Sequence, residues 1–211
     1  MNSVNYKLLK LPINPIRDSF DIDPLISGIG LHQQLQFSPK EMLKDEVLQI
    51  FESHNLKAQR VVSFILSSPR LLSNALMHTD VEPIPDLQWR KVIYGVNWEL
   101  NDIPSYLSWY TTTRTPAYPP DDKHPLTSFY PYGIHYGHRF KLGYFPEQDN
   151  VIERVNTNIG PLLIRTDIPH TAEVEESQSK FRVAISVRFE NIVHSWDEAV
   201  QLFSPLIYKG T

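Results

Sequence analysis

Clear helix-start signals stand at two places in this chain, and the stretch between them reads as a succession of short strands. Ser38-Pro39-Lys40-Glu41 offers an N-cap serine, a proline at the first helical position and a glutamate able to close a capping box. Met42, Leu43, Val47, Leu48, Ile50 and Phe51 follow at roughly helical spacing, which predicts a helix running to about Asn55. Ser195-Trp196-Asp197-Glu198 repeats the box and predicts a short terminal helix near 196–203. In between, Arg60–Leu66, Lys91–Trp98, Ser105–Thr111, Gly160–Thr166 and Phe181–Phe189 are rich in β-branched and aromatic residues and read as strands. Residues 1–37 read as irregular or extended. Many strands and few intervening helices predict a mainly β fold with flanking helices, a sandwich or barrel.

The 211 residues fit a single domain. Residues 1–60 are expected to form an N-terminal extension and helix, 61–189 the β core, and 190–211 a C-terminal helix and tail. Within the core, 112–150 stands apart: it holds six prolines and eight Tyr or Phe residues. A loop of that length is usually functional or disordered, and the aromatic content argues for the former. Across the chain, 17 Pro against 8 Gly favours fixed loops and extended segments over a helix bundle.

The chain has no cysteine, which excludes disulfide frameworks, thiolate zinc sites, iron–sulfur clusters and cysteine nucleophiles. Any metal site must use histidine and carboxylates. The net charge of −4 gives no reason to expect general nucleic-acid binding. Apolar patches near the N-terminus are broken by Lys10, Pro12, Asn14, Pro15 and Arg17, so no signal-peptide core is read there. No run of about 18 apolar residues predicts a membrane span. A cytoplasmic location is expected. The lone Gly28-Ile29-Gly30 lacks the rest of a dinucleotide fingerprint, and no nucleophile elbow is present.

His78-Thr79-Asp80 is the first chemical signal. In extended chain, residues i and i+2 point the same way, so an imidazole and a carboxylate stand side by side. The plain alternative is a loop in which Asp80 accepts hydrogen bonds. Leu162, Ile164, Thr166, Ile168 and His170 share parity, so a strand continuing through Pro169 would aim His170 inward with an apolar row. A lone histidine on such a face is more often a satisfied core residue than a ligand. Two histidines and an aspartate, however, are the ligand set of the facial triad, whose open positions suit non-haem iron. On the strand Phe181–Phe189, Arg182, Ala184, Ser186 and Arg188 share one face and Val183, Ile185 and Val187 the other. The polar face reads either as a carboxylate receptor, with Arg182 gripping and Ser186 adding a hydrogen bond, or as a solvated surface opposite the core.

Taken in order, His78-x-Asp80, then His170, then Arg182-x-x-x-Ser186 resembles the iron(II)- and 2-oxoglutarate-dependent oxygenase superfamily. The resemblance spans roughly Val61 to Phe189. It is nearest to compact phage and bacterial members and looser toward prolyl hydroxylases. It implies a double-stranded β-helix, the jelly-roll or cupin-like barrel. His78, Asp80 and His170 would ligate Fe(II). Arg182 would pair with the distal carboxylate of the cosubstrate 2-oxoglutarate, supported by Ser186, with Tyr94 reaching the same group and Arg188 as a substitute receptor. The implied activity uses O2, with ascorbate as an optional accessory, to hydroxylate an unactivated C–H bond while releasing succinate and CO2. The implied substrate is a small molecule or an amino-acid or peptide side chain. Arg114, Tyr118, Tyr132, His135, Tyr136, His138 and Arg139 are its candidate contacts. The rival expectation is a cupin-like metal protein that does not use 2-oxoglutarate.

Overall fold

A computed structural model describes residues 4–21, 32–66, 78–84, 88–113, 116–118, 129–130, 133–134, 137–140, 149–174 and 182–209. In chain order its strands are β1 (Tyr6–Leu8), β2 (His32–Phe37), β3 (Ala58–Leu66), β4 (His78–Ile84), β5 (Gln88–Lys91), β6 (Tyr94–Glu99), β7 (Ser105–Thr112), β8 (Pro116–Tyr118), β9 (Phe129–Tyr130), β10 (Gly133–Ile134), β11 (Gly137–Phe140), β12 (Asp149–Asn156), β13 (Leu162–Arg165), β14 (His170–Val174) and β15 (Arg182–Phe189). Its helices are α1 (Pro39–Met42), α2 (Asp45–Ser53) and α3 (Trp196–Leu202). None of the described helices is long and apolar enough to cross a membrane.

Two antiparallel sheets carry the fold. One runs β1-β13-β6-β15-β3-β2, and the main path of the other runs β12-β7-β14-β4-β11-β8, with β5 paired to β4. Take β3, β4, β6, β7, β12, β13, β14 and β15 as the successive core strands. The first sheet then holds the sixth, third, eighth and first side by side, and the second holds the fifth, fourth, seventh and second. This alternation between sheets, with the last strand beside the first, is the order of a jelly roll.

The register of β15 explains how the strands divide their faces. Val187 opposes Val61 on β3 and Val96 on β6, and Ile185 opposes Ser63 and Trp98. Directly opposed residues point to the same side. That side packs against the helices: Val61, Ile65, Tyr94, Val96, Trp98, Leu163, Ile185, Val187 and Phe189 meet Met42, Val47, Phe51, Trp196, Ala199 and Phe203 in the main core. Phe51 and Phe189 meet edge to face at 5.0 Å. The other side faces the second sheet across the sandwich, where Leu162 and Ile164 pack on Leu107, Trp109 and Val155. Consequently all eight residues of β15 are buried. The polar face holding Arg182 and Ser186 is no solvated surface, because a central strand in a covered sheet has two interior faces.

Several expected elements differ in their bounds. The first helix is interrupted: Leu43 is extended, with φ −89° and ψ 147°. There the chain bonds to the N-terminal segment, the Lys44 amide donating to Pro15 O at 2.8 Å and the Arg17 amide to Met42 O at 3.0 Å. The capping box at Ser38 is present. The helix ends at Ser53, and Asn55, the expected stop, follows in the left-handed conformation with φ 57°. The strand expected over Lys91–Trp98 breaks at Val92 and Ile93, where the chain changes sheets. The strand expected through Pro169 ends at Arg165, and His170 opens β14 in the opposite sheet. The 112–150 segment is not wholly an excursion. Its β11 pairs with β4, placing Gly137 opposite Asp80 and Arg139 opposite His78.

Candidate metal centre

His78 and Asp80 lie at the start of β4, and His170 at the start of β14, directly opposite His78. Their ligand atoms all lie within 4.8 Å of one another. Asp80 Oδ1 stands 3.4 Å from His78 Nε2 and 3.9 Å from His170 Nε2, and the two imidazole rings are 4.4 Å apart between centroids. Alternation along β4 puts His78 and Asp80 on one face while Thr79 turns away.

The backbone around Asp80 is pinned where the chain crosses between sheets. The Asp80 amide donates to Thr166 O at 2.8 Å, and the Val92 amide donates to Asp80 O at 3.0 Å. Thr166 ties the two crossings together, its hydroxyl donating to Val92 O at 2.6 Å and its amide to Ile93 O at 3.0 Å. This corner explains why a parity argument through Pro169 is unnecessary for His170. The turn after β13 delivers it to the other sheet, where pairing with β4 and β7 fixes its direction.

The electrostatics favour metal binding. His170 Nδ1 lies 2.9 Å from Ile168 O. A carbonyl only accepts, so Nδ1 carries the proton and Nε2 keeps a lone pair aimed at Asp80 and His78. Burial, reinforced by the neighbouring His78, lowers the His170 pKa to about 4 against the pull of Asp80, so the ring is neutral at pH 7. Burial would raise the Asp80 pKa. The Arg188 guanidinium, the His78 hydrogen bond and both imidazoles outweigh it and hold the carboxyl well below the usual range. Two nitrogen donors and one anionic oxygen, converging in a buried corner, suit a first-row divalent ion with positions left open.

A second buried polar group lies on the first sheet, on its face turned toward the second sheet. Arg182 Nη2 pairs with Glu99 Oε1, the side chains being 3% and 4% exposed. Gly95, Asn97 and Glu99 share this face of β6 with Ala184, Ser186 and Arg182 of β15. Asn97 Oδ1, Glu99 Oε2, Arg182 Nε and Ser186 Oγ are buried and lack a hydrogen-bond partner among the described residues. Such atoms are costly unless a polar ligand or water meets them.

The remaining expected residues sort as follows. Arg182 and Ser186 face the interior, but the Arg182 charge is already met by Glu99. Arg188 serves Asp80, donating from Nη2 to Oδ2 at 2.6 Å, so it is not a free substitute receptor. Tyr94 requires correction. It shares parity with Val96 and Trp98, and so lies on the helix-covered face. Its hydroxyl donates to Asn191 O at 3.0 Å and its ring packs on Phe189 and Phe203. Arg114, Tyr132, His135 and Tyr136 lie outside the described residues, and Tyr118, His138 and Arg139 are placed only through their strands. Sequence reasoning assigned no site role to Glu99, Asn97 or Gly95. The signal was present as a polar odd-numbered set alternating with Tyr94, Val96 and Trp98 on β6.

Fold and site together define a mainly β jelly-roll protein with a buried His-x-Asp…His group able to hold a metal ion. Compared with known protein families and with curated proteins, the chain matches no family model and no curated protein.

Proposed function

We propose that this protein is an iron(II)- and 2-oxoglutarate-dependent oxygenase that hydroxylates an unactivated C–H bond of a small molecule or an amino-acid side chain. The observation that carries this reading is the convergence of His78, Asp80 and His170 within 4.8 Å, inside a jelly roll whose interior also holds a buried arginine with unmet hydrogen-bonding capacity. Iron, when bound, supplies the chemistry that couples decarboxylation of the cosubstrate to oxidation of the substrate. The chain's own residues do the rest. His170 offers Nε2 because Ile168 O holds its other nitrogen. Asp80 offers one anionic oxygen. Arg182 Nε and Ser186 Oγ offer donors to a carboxylate lying between the sheets. The packed layer of Leu107, Trp109, Leu162 and Ile164 limits water beside them.

The pairing of Arg182 with Glu99 favours a second reading, a metal protein of this fold that does not use 2-oxoglutarate. A receptor whose charge is already balanced gains less from a diacid. The two separate in one experiment: anaerobic Fe(II)-loaded protein is titrated with 2-oxoglutarate by calorimetry, then exposed to O2 while succinate is measured. The oxygenase reading expects saturable binding and succinate formation, both lost in His78→Ala and Asp80→Ala. Undiminished turnover in either variant rejects the ligand assignment. Metal uptake without any 2-oxoglutarate binding leaves the second reading standing.

A further inference from the structure

Arg188 is a buried cation placed against a metal-ligand carboxylate, which is an unexpected arrangement, since a divalent ion and a guanidinium repel. Its Nη2 donates to Asp80 Oδ2 at 2.6 Å and its Nη1 to Tyr94 O at 3.3 Å. The two carboxylate oxygens of Asp80 are thereby divided. Oδ2 belongs to Arg188, while Oδ1 faces the imidazoles of His78 and His170. The guanidinium reaches this position only because residue 95 is glycine. A Cβ there would stand 2.7 Å from Ser186 Oγ and 2.8 Å from Arg188 Nη1, closer than such atoms approach. The path from β15 to Asp80 is therefore built from three positions on two adjacent strands.

We infer that Arg188 is a positioning residue that balances the buried Asp80 charge while the metal is away and restricts Asp80 to one ligating oxygen when the metal is present. This rests on the metal-centre reading of His78, Asp80 and His170. The physical case has two parts. Without an ion, a buried carboxylate is left uncompensated unless a cation faces it, and among the described residues the Arg188 guanidinium bonds to it. With an ion, a free Oδ2 could swing in as a second donor and close one of the positions that a three-ligand site leaves open. An Oδ2 held by the Arg188 guanidinium is kept from that swing.

The test is thermal unfolding of wild type, Arg188→Gln and Gly95→Ala, each in EDTA and in excess Co(II), with the Co(II) absorption spectrum recorded. Removing one partner of a buried pair shifts the midpoint of a chain this size by about 10 °C. Arg188→Gln is expected to fall by that order in EDTA and to recover most of the loss in Co(II), because the ion then takes over the neutralisation of Asp80. Its Co(II) spectrum is expected to differ from wild type as the coordination number rises. Gly95→Ala keeps the guanidinium but displaces its tip, and is expected to move both readings the same way by a smaller amount. It also carries the test if Arg188→Gln does not fold. A fall of equal size with and without Co(II), together with an unchanged spectrum, overturns the role assigned to Arg188 and makes it packing alone. Wild type that takes up no Co(II) overturns the metal centre itself, a distinct result.

Discussion

Glu99→Gln perturbs the interior where the two functional readings diverge. In the wild type the Arg182 and Glu99 charges cancel in an interior where both side chains are almost wholly withdrawn from solvent. A ligand carboxylate arriving at Arg182 takes the local charge from zero to minus one, and Glu99 opposes it. Glutamine keeps the shape and an acceptor oxygen but removes the opposing charge, and it leaves Arg182 without a counter-ion. Removing one partner of a buried pair costs about 3–5 kcal/mol. A diacid that supplies the missing carboxylate recovers much of this. If about 3 kcal/mol returns, the variant binds 2-oxoglutarate about a hundredfold more tightly than wild type. Calorimetry on Mn(II)-loaded protein measures this directly, and unfolding midpoints give a second reading. The variant should melt lower than wild type without ligand and regain the difference with it. Equal or weaker binding by Glu99→Gln would refute the argument, leaving Arg182–Glu99 as a structural pair in a protein with no diacid receptor there.

The acid dependence of stability follows from His170. Its folded pKa of about 4 lies below the ordinary 6.5, so between these values the unfolded chain binds more protons and stability falls as pH falls. From pH 7 to pH 5 in EDTA, His170 alone should remove about 2 kcal/mol, and Asp80, whose pKa is also depressed, adds to the loss only below its ordinary 3.8. Urea unfolding at the two pH values should show a flatter profile for His170→Gln; an unchanged slope would place the titration elsewhere. Tyr94→Phe loses its bond to Asn191 O and about 1 kcal/mol of stability. It should leave the 2-oxoglutarate requirement unaltered, and a clear rise in that requirement would return Tyr94 to the site.

The sequence alone carried what local chemistry dictates. Alternation on β15 was legible, as were the capping box at Ser38, the stop at Asn55 and the pairing of an imidazole with a carboxylate two residues on. The strand-rich order pointed to a sandwich or barrel, and the resemblance to its strand plan. Only tertiary structure decided which charges meet. Arg188 and Asp80 are 108 residues apart, and Arg182 and Glu99 are 83 apart. Each pair forms because the jelly roll lays β15 beside β6 and brings β4 across the sandwich from them. Tyr94 shows the same limit from the other side. Its composition suits a ligand contact, but one step of strand alternation sends it to the helix-covered core. Parity tells which residues share a face. It does not tell which face meets the other sheet, because that depends on distant segments packing over the alternative.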